Sequence, residues 1–428
     1  MRVDQLDFEA AEIHLRNTAF QIAARALQQR INADTSDYTG PQRPCPCGQT
    51  ARYVDRREKT FTSVLGDLTL QRAYYHCAAC TKGSCPRDRA LGMDGNPVSP
   101  GVLRMLGSAT AEVSFQTSSG LLWDLAGLRI DPKQVQRIAE RLGQEMAEDE
   151  RQDTTPFANG DLPPTMYLGI DGSGIPVRAE ELIGRAGKQA DGKAKTREGK
   201  LVIVWSAESR DDKGLPVRDP GSITYSAAIE SAAALDTGEC PSEFATRVQR
   251  EAARRRFTEA PRTVVVADGA KYNWNVASEL FPSAIQILDR CHAKQHINEV
   301  ANALHGKGSQ EAEQWATLRK DELDGGLVED LLAALRVHAD SCKEAKTGVG
   351  YVERNRHRMR YPEFDAMGLC TTSNIVESGC KVIFTTRFKH SAMHWSVCGA
   401  NKTLAIRCYK RSGKFEEFFE RRAQQKAA

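Results

Sequence analysis

Asp171 and Asp268 stand in matching settings, each closing an apolar run and each followed by glycine, in Leu168-Gly-Ile-Asp171-Gly and Val264-Val-Val-Ala-Asp268-Gly. If those runs are neighbouring strands, the two carboxylates converge on one edge of a sheet. Oxygen ligands suit Mg²⁺, which takes one or two carboxylates plus phosphate and water. Two such ions about 3.5–4 Å apart can activate a nucleophile and stabilise the leaving oxygen of an in-line displacement at phosphorus. A glycine beside each carboxylate would let a phosphate backbone approach closely. A third carboxylate should come from a later helix, and Ser373-Asn374-Ile-Val-Glu377 offers one. There Ser373 or Asn374 can cap the helix, with Glu377 in its first turn and Lys381 one turn on. An isolated Asp-Gly is more often a turn, and residue physics alone does not separate Glu377 from the other acids of the chain.

A second chemistry is written in sulfur. Of twelve cysteines, five fall between Cys45 and Cys85. The scattered remainder read as small buried hydrophobes of a reduced protein. Cys45-Pro-Cys47-Gly48 and Cys77-Ala-Ala-Cys80 form two knuckles around strand-like runs Thr60–Val64 and Leu68–Tyr75, joined at Leu65-Gly66-Asp67. Such an arrangement can close a tetrahedral thiolate site for Zn²⁺, the zinc-ribbon logic, and stabilise a domain too small to hold itself together. The single residue inside the first pair makes its bite tight, so Cys85 or His76 are alternative fourth ligands. A plain hairpin with free thiols is the competing reading.

The elements that must position these groups follow from periodicity. Leu6, Ile13, Phe20 and Leu27 recur every seven residues, extended by Ile31, and predict a helix over 5–33. It packs on its own domain or self-associates. TSDYTGPQRP then marks a linker. Residues 98–150 read as helices. Ser118 or Ser119 can cap one through Leu121, Leu122 and Leu125, ending at Gly127, and Asp131-Pro132 can open the next over Val135, Ile138 and Leu142. This is either a helix-turn-helix for DNA or a routine helix pair. From 164 onward strands alternate with helices. Met166–Gly174, Leu201–Ser206 and Ser222–Ile229 are strands, Ser242–Arg256 a helix, Arg262–Ala267 a strand, Lys271–Leu280 a helix and Ala284–Leu288 a strand. That is the element order of ribonuclease-H-like nuclease domains. Glu299–Val349 is helix-rich, with a stripe of Val328, Leu331, Leu332 and Leu335.

At 428 residues, 40% of them hydrophobic, the chain is expected to form two or three domains. No apolar run approaches the roughly twenty residues of a membrane span, and the charged N-terminus lacks a signal stretch. A soluble, cytoplasmic protein is expected. Net charge is only +3, from 59 basic and 56 acidic residues, so distribution matters more than total. Basic residues cluster in Arg185–Lys200, Arg354–Arg360, Lys381–Lys389 and Lys402–Lys414. Each is a solvated face or a phosphate contact.

Longer motifs narrow the field. Leu168-Gly-Ile-Asp171-Gly-Ser-Gly-Ile-Pro-Val-Arg178, Gly184-Arg-Ala-Gly-Lys188 and Lys195-Thr-Arg-Glu-Gly-Lys200 resemble DDE transposases of the ISKra insertion-sequence family, as do Val266-Ala-Asp268-Gly-Ala-Lys-Tyr-Asn-Trp274, Leu288-Asp289-Arg-Cys-His292-Ala-Lys-Gln-His296 and Met359-Arg-Tyr361. Asn374-Ile-Val-Glu377-Ser-Gly-Cys-Lys381, Arg387-Phe-Lys389 and Met393-His-Trp395 complete the resemblance, which covers most of the chain in order. The chain departs from it at Cys-Pro-Cys, where Cys-Pro-x-Cys is usual, and at Thr372-Ser-Asn374, where a glycine is expected.

The resemblance implies a Mutator-like, ribonuclease-H-like α/β core with a helical insertion before the glutamate. Ahead of that core it implies a zinc-ribbon-like β domain and a helical DNA-binding region. The expected division is 1–40 N-terminal helix, 41–97 zinc ribbon, 98–155 helical region, 164–300 first part of the core, 301–365 insertion and 366–428 last part with a basic tail. It further implies Asp171, Asp268 and Glu377 as ligands of two Mg²⁺, with Mn²⁺ able to substitute. Cys45, Cys47, Cys77 and Cys80 would hold Zn²⁺, and Asp289, His292 and His296 would support the site from behind, with direct contact to metal or phosphate as the alternative role for the two histidines. Arg178, Arg185, Lys188, Lys195, Arg197, Lys200, Lys381, Arg387 and Lys389 are candidates for contacts to double-stranded DNA. Trp274 and Trp395 either stack on an unpaired base or pack in the core. The expected activity is metal-dependent cleavage at insertion-sequence ends and strand transfer into target DNA, by a bacterial, nucleoid-associated homodimer or higher oligomer. A nuclease that does not join strands and a catalytically silent DNA-binding descendant are the alternatives.

Overall fold

A computed structural model describes residues 7–153, 156–157, 160–185, 194–231, 242–390 and 393–427. It contains two compact units, 1–145 with 414–428, and 146–413. The stretches 1–40, 41–97 and most of 98–155 thus share one unit, which the end of the chain joins; the last residues do not remain with the core.

The first unit begins with α1 (Phe8–Ala33), capped by the Asp7 carboxylate accepting from the Ala10 amide. The strands β1 (Gln42–Pro44), β2 (Thr50–Ser63), β3 (Gly66–His76) and β4 (Gly83–Ser84) form an antiparallel sheet in chain order. β2 reaches far N-terminal of the expected Thr60, through charged Asp55–Lys59, because its hydrogen-bond ladder to β3 carries residues that have no apolar alternation of their own. The expected linker is partly ordered by charge: buried Asp37 pairs with Arg56 at 3.0 Å and Arg87 at 2.9 Å. Ala24 of α1 joins Phe61, Leu68, Leu70 and Met93 in the core of this sheet. Helices α2 (Pro86–Ala90), α3 (Pro100–Glu112), α4 (Phe115–Ala126) and α5 (Pro132–Gln152) follow, with the division between units falling inside α5. α4 is capped by Ser114, not by Ser118 or Ser119, since Ser114 accepts from the Thr117 amide one turn earlier. It ends as expected at Gly127, whose φ of 69° is left-handed.

The second unit is built on a five-stranded sheet of β5 (Thr165–Pro176), β6 (Thr196–Ser206), β9 (Thr224–Ala228), β10 (Arg262–Ala267) and β11 (Ile285–Leu288). A separate two-stranded hairpin comprises β7 (Ser209–Arg210) and β8 (Pro216–Val217). The order across the main sheet is β11-β10-β5-β6-β9, with β5, β10 and β11 parallel and β6 antiparallel to both its neighbours. Between β9 and β10 lies α6 (Glu243–Arg254), capped by Ser242, and between β10 and β11 lies α7 (Lys271–Leu280). The helices α8 (Arg290–His305), α9 (Gln310–Asp324), α10 (Val328–His338) and α11 (Lys343–Asn355) form the helix-rich segment. There Leu331, Leu332 and Leu335 are buried as their spacing predicts. After α12 (Tyr361–Ala366), α13 (Asn374–Cys380) crosses β5, then widens into a π-helical turn at Lys381–Thr385. α14 (Thr386–Phe388), α15 (Val397–Arg411) and α16 (Phe415–Ala427) close the chain. No described helix is long and apolar enough to cross a membrane.

Candidate functional site

β5 and β10 run parallel with Ala267 opposite Ile170. The next residue on each strand is the aspartate, so sheet register alone sets Asp268 beside Asp171. β5 runs on past Asp171, as the expected strand Met166–Gly174 does. It continues to Pro176 along β6, and only its pairing with β10 stops, because β10 turns away towards α7. Asp171 thus marks the point where one strand parts from its neighbour.

Burial pushes the Asp171 carboxyl above the usual carboxylate range, and the charge of Asp268 adds to this. A hydrogen bond from the Cys380 thiol and one of 2.7 Å from the Gly172 amide oppose it. Asp268 is fixed by the Ala270 amide at 2.9 Å and the Asn273 amide group at 2.8 Å, both donating to Oδ1. The glycines after the aspartates serve the protein's own side chains. A Cβ on Gly172 would lie 2.7 Å from Glu198 Oε1, and one on Gly269 would lie 2.1 Å from the Tyr351 ring.

Glu377 arrives on α13. Gly169 admits the helix, since a Cβ there would meet Val376 Cγ2 at 2.3 Å. Glu377 itself is exposed and bound to Lys381 at 2.9 Å, one turn on. Ser373 precedes the helix but gives no side-chain cap; its hydroxyl donates to Asp289 instead. Buried Asp289 also accepts from the Cys291 amide at 2.8 Å and pairs with His292 Nδ1 at 2.5 Å. Burial alone would raise Asp289, but these hydrogen bonds overcome it and hold it below the usual range. His292 is raised, first by Asp289 and further by the charges of Asp268 and Asp171. His296 turns to Glu299 at 3.1 Å and lies 4.2 Å from the Tyr351 ring.

Residues the motifs did not single out also belong here. Cys380 touches Asp171, and its place three residues after Glu377, on the same helix face, was the available signal. Glu198 pairs with Lys200 at 2.5 Å, and Lys200 Nζ lies 4.0 Å from the centre of the Tyr272 ring. Burial, then Glu198 and the two aspartates, keep the Tyr272 phenol protonated.

The cationic candidates separate by environment. Arg178, Arg185, Lys195 and Lys389 are exposed, the last with Nζ donating to Ser173 at 2.7 Å. Arg197 is half-buried and reaches the Glu181 carbonyl. Lys200 is buried on Glu198, and Arg387 is buried against the rings of Phe388 and Trp395, so neither presents its charge to solvent. Lys188 lies outside the described residues. Trp274 and Trp395 are core residues, with Arg358 over the first and the Nε1–H of the second donating to the Phe388 carbonyl. In the helical region, Lys133, Arg137 and Arg141 stand exposed at four-residue intervals along α5, a cationic stripe the motif reading passed over.

A second candidate centre lies in the first unit. The sulfurs of Cys45, Cys47, Cys77 and Cys80 all fall within 4.8 Å of one another, the one such group among the described residues. Cys45–Cys80 and Cys47–Cys77 are 3.6 and 3.7 Å apart. Thiolates about 2.3 Å from a zinc ion define a tetrahedron with edges of about 3.8 Å, so the donor set fits zinc. The tight first pair is accommodated by a turn at Gly48, φ 82°, whose amide donates to the Cys45 carbonyl. Neither Cys85 nor His76 is in the group. The Cys80 amide lowers the Cys77 thiol to about 7. Cys45 is helped by its own amide hydrogen bond from Cys47, yet thiol contacts and burial drive it up to about 12.

No protein-family model matches the chain, and no curated protein matches it significantly. Among solved structures it is similar to one described as a Drosophila P element transposase strand transfer complex. The two are 9% identical, with 74% of this chain and 80% of that one covered, at a TM-score of 0.24, too low to bear on fold or function.

Proposed function

We propose that the protein is a metal-dependent transposase that cuts DNA at the ends of an insertion sequence and joins them to target DNA, using a ribonuclease-H-like core. The observation that carries this reading is the β5–β10 register, which brings Asp171 and Asp268 together. The strand order, three antiparallel strands continued by two parallel ones, supports the core assignment. The motif resemblance to ISKra transposases supports the substrate.

Asp171 and Asp268 would hold Mg²⁺ or Mn²⁺, and their fit rests on two adjacent oxygen donors, of which buried Asp171 is held above the usual carboxylate range in part by the charge of Asp268. Bound there, the ions would lower the pKa of an attacking water or 3′-hydroxyl and stabilise the leaving oxygen. Glu377 is the third ligand of this reading and must exchange Lys381 for the metal. Lys381, so released, would be free one helical turn from Glu377 to pair with a phosphate. His292, whose affinity for a second proton is raised by Asp289, would in its cationic form offer Nε2–H to a phosphate oxygen. Arg178, Arg185, Lys195 and Lys389 would contact the DNA backbone, and the α5 stripe of the first unit would do so independently. Zinc held by the four thiols would stabilise the first unit.

The test is incubation of the full chain with Mg²⁺, a labelled duplex carrying a transposon end and a target plasmid. Cleaved and joined products are expected, and both should disappear in Asp268→Asn while gel-shift binding persists. Cleavage without joining would reduce the protein to a nuclease. Binding without cleavage in the wild type would leave only a DNA-binding protein, and full activity in Asp268→Asn would remove the catalytic assignment.

A further inference from the structure

The helix that carries Glu377 is not regular throughout. From Asn374 to Phe388 it runs without a break as α13, the π-helical turn Lys381–Thr385 and α14. A π-turn bonds five residues back instead of four, so it takes up about one extra residue. Three α-helical turns span about eleven residues, which in a regular helix would return Phe388 to the side of Glu377. The extra residue gives that place to Lys389 and turns Phe388 into the core, where it is buried against Trp395. Lys389 Nζ then donates to the Ser173 hydroxyl at 2.7 Å. Ser173 follows Asp171 by two residues on β5, so it shares that face of the strand and lies about 7 Å along it. The charge of Lys389 reaches Cys380, whose thiol touches Asp171. Lys200 and Lys381 are each tied to a glutamate, whereas Lys389 makes no ion pair among the described residues.

The turn is held by a residue far along the chain. The Thr386 amide bonds the Lys381 carbonyl five residues back, passing over Val382. The Val382 carbonyl accepts instead from Arg407 of α15, which is 1% exposed. Arg407 Nε donates to that oxygen at 2.7 Å, and Nη2 donates both to it and to Thr386 Oγ1, the latter at 2.6 Å. The Thr386 hydroxyl adds its own bond to Val382 at 3.0 Å. A buried guanidinium is costly without acceptors, so the turn and Arg407 stabilise each other.

We propose that Arg407 is a positioning residue: by holding this turn open it sets the Lys389 ammonium beside Asp171, to bind a DNA phosphate next to the reacting one. The inference rests on the proposed transposase reading for its DNA, while its geometry stands apart from it. The offset of Ser173 from Asp171 keeps Lys389 clear of the metal position and is close to the step between neighbouring phosphates of one strand. A charge-assisted bond there fixes the strand without reading its bases.

Anisotropy of a short labelled duplex with the full chain, titrated with KCl at fixed low Ca²⁺, tests it. Each phosphate neutralised contributes about 0.9 to the slope of log affinity against log salt. Lys389→Ala should lower that slope by about 0.9. Arg407→Lys should lower it equally, although it keeps its charge and is too deeply buried to reach DNA itself. The double variant should lose no more than either single one. If Arg407→Lys fails to fold by circular dichroism, Thr386→Val, which removes the other side-chain donor to Val382, should lower the slope in the same direction. An Arg407→Lys slope equal to the wild type's, or a double variant that loses the sum of the two, overturns the proposal. The transposase reading fails differently, by a wild type that binds duplex and cuts nothing in Mg²⁺, whatever the slopes.

Discussion

The two candidate centres are assembled in opposite ways. The four thiols sit on knuckles flanking one β-ribbon, so Cys45 and Cys80 meet because β2 and β3 are consecutive and in register. The carboxylates come from positions 171, 268 and 377: a parallel crossover sets the first two side by side, and a helix that returns after the whole helix-rich segment carries the third across β5. The sulfur site is complete as it stands. In the carboxylate site two members are aligned and the third is engaged elsewhere, with Lys381. A structural site profits from being closed, whereas a site that must admit a phosphate and release a product profits from a ligand that can exchange partners.

The contrast can be broken most directly at Asp171 or Asp268. Replacing either by asparagine should lower DNA cleavage by about a hundredfold to a thousandfold, and at Asp171 without shifting the melting temperature downward, because burial and the charge of Asp268 disfavour its ionised form in the free protein. A variant that loses stability in step with activity would mark the pair as structural.

The thiol site should behave in reverse. Cys77→Ser, or a strong chelator, should abolish stoichiometric zinc measured by atomic emission and lower the stability of the first unit by several kcal/mol, since a structural zinc contributes about 10–16 kcal/mol in small domains. The transition of the second unit should stay in place. Zinc-free protein with an unaltered first transition would contradict the assignment.

Smaller effects are expected behind the carboxylates. Gly269→Ala drives a methyl into the Tyr351 ring and should cost about 1–3 kcal/mol, read by urea denaturation and relieved by Tyr351→Ala. Asp289→Asn should return His292 towards an ordinary histidine value, followed by its ring protons in NMR titration. The sign is fixed by the raised value of His292. Its pairing stabilises the folded state fully below the unfolded histidine value near 6.5, and this contribution is lost as pH rises through the higher folded value. The wild type should therefore lose stability in that window and Asp289→Asn should not. The smallest change is Lys381→Ala. Its exposed ion pair is worth about 0.5 kcal/mol or less, so a release of Glu377 should appear as tighter Mn²⁺ binding by calorimetry rather than as a shift in melting.

Much of this was legible locally. The strand over Arg262–Ala267, the helix over Lys271–Leu280 and the knuckle cysteines follow from a β-branched run, the helical stretch after its Asp-Gly and short cysteine spacing, which are properties of neighbours in the chain. Hydrogen-bonded register was not legible. It extended β2 through a charged stretch and laid β6 along β5 with Glu198 against Gly172, while helix packing filled the space beside Gly269 with Tyr351. The cationic clusters misled for a related reason. Arg387 and Lys200 look like surface charge in sequence, yet aromatic faces and a carboxylate accommodate them inside the fold.

By itself the sequence determined which groups are available: two strand-borne aspartates, four knuckle thiols and a helix with apolar residues every seventh position. Only the tertiary structure decided which of them meet. Asp268 lies beside Asp171 because two strands nearly a hundred residues apart align in parallel, Ser373 serves Asp289 instead of its own helix, and Ala24 and Ile31 of α1 are packed while Ile13 and Leu27 of the same seven-residue stripe stay exposed. The reason is physical: residue type sets what a side chain can do, but distance between remote residues is fixed by backbone pairing and packing that no local pattern encodes.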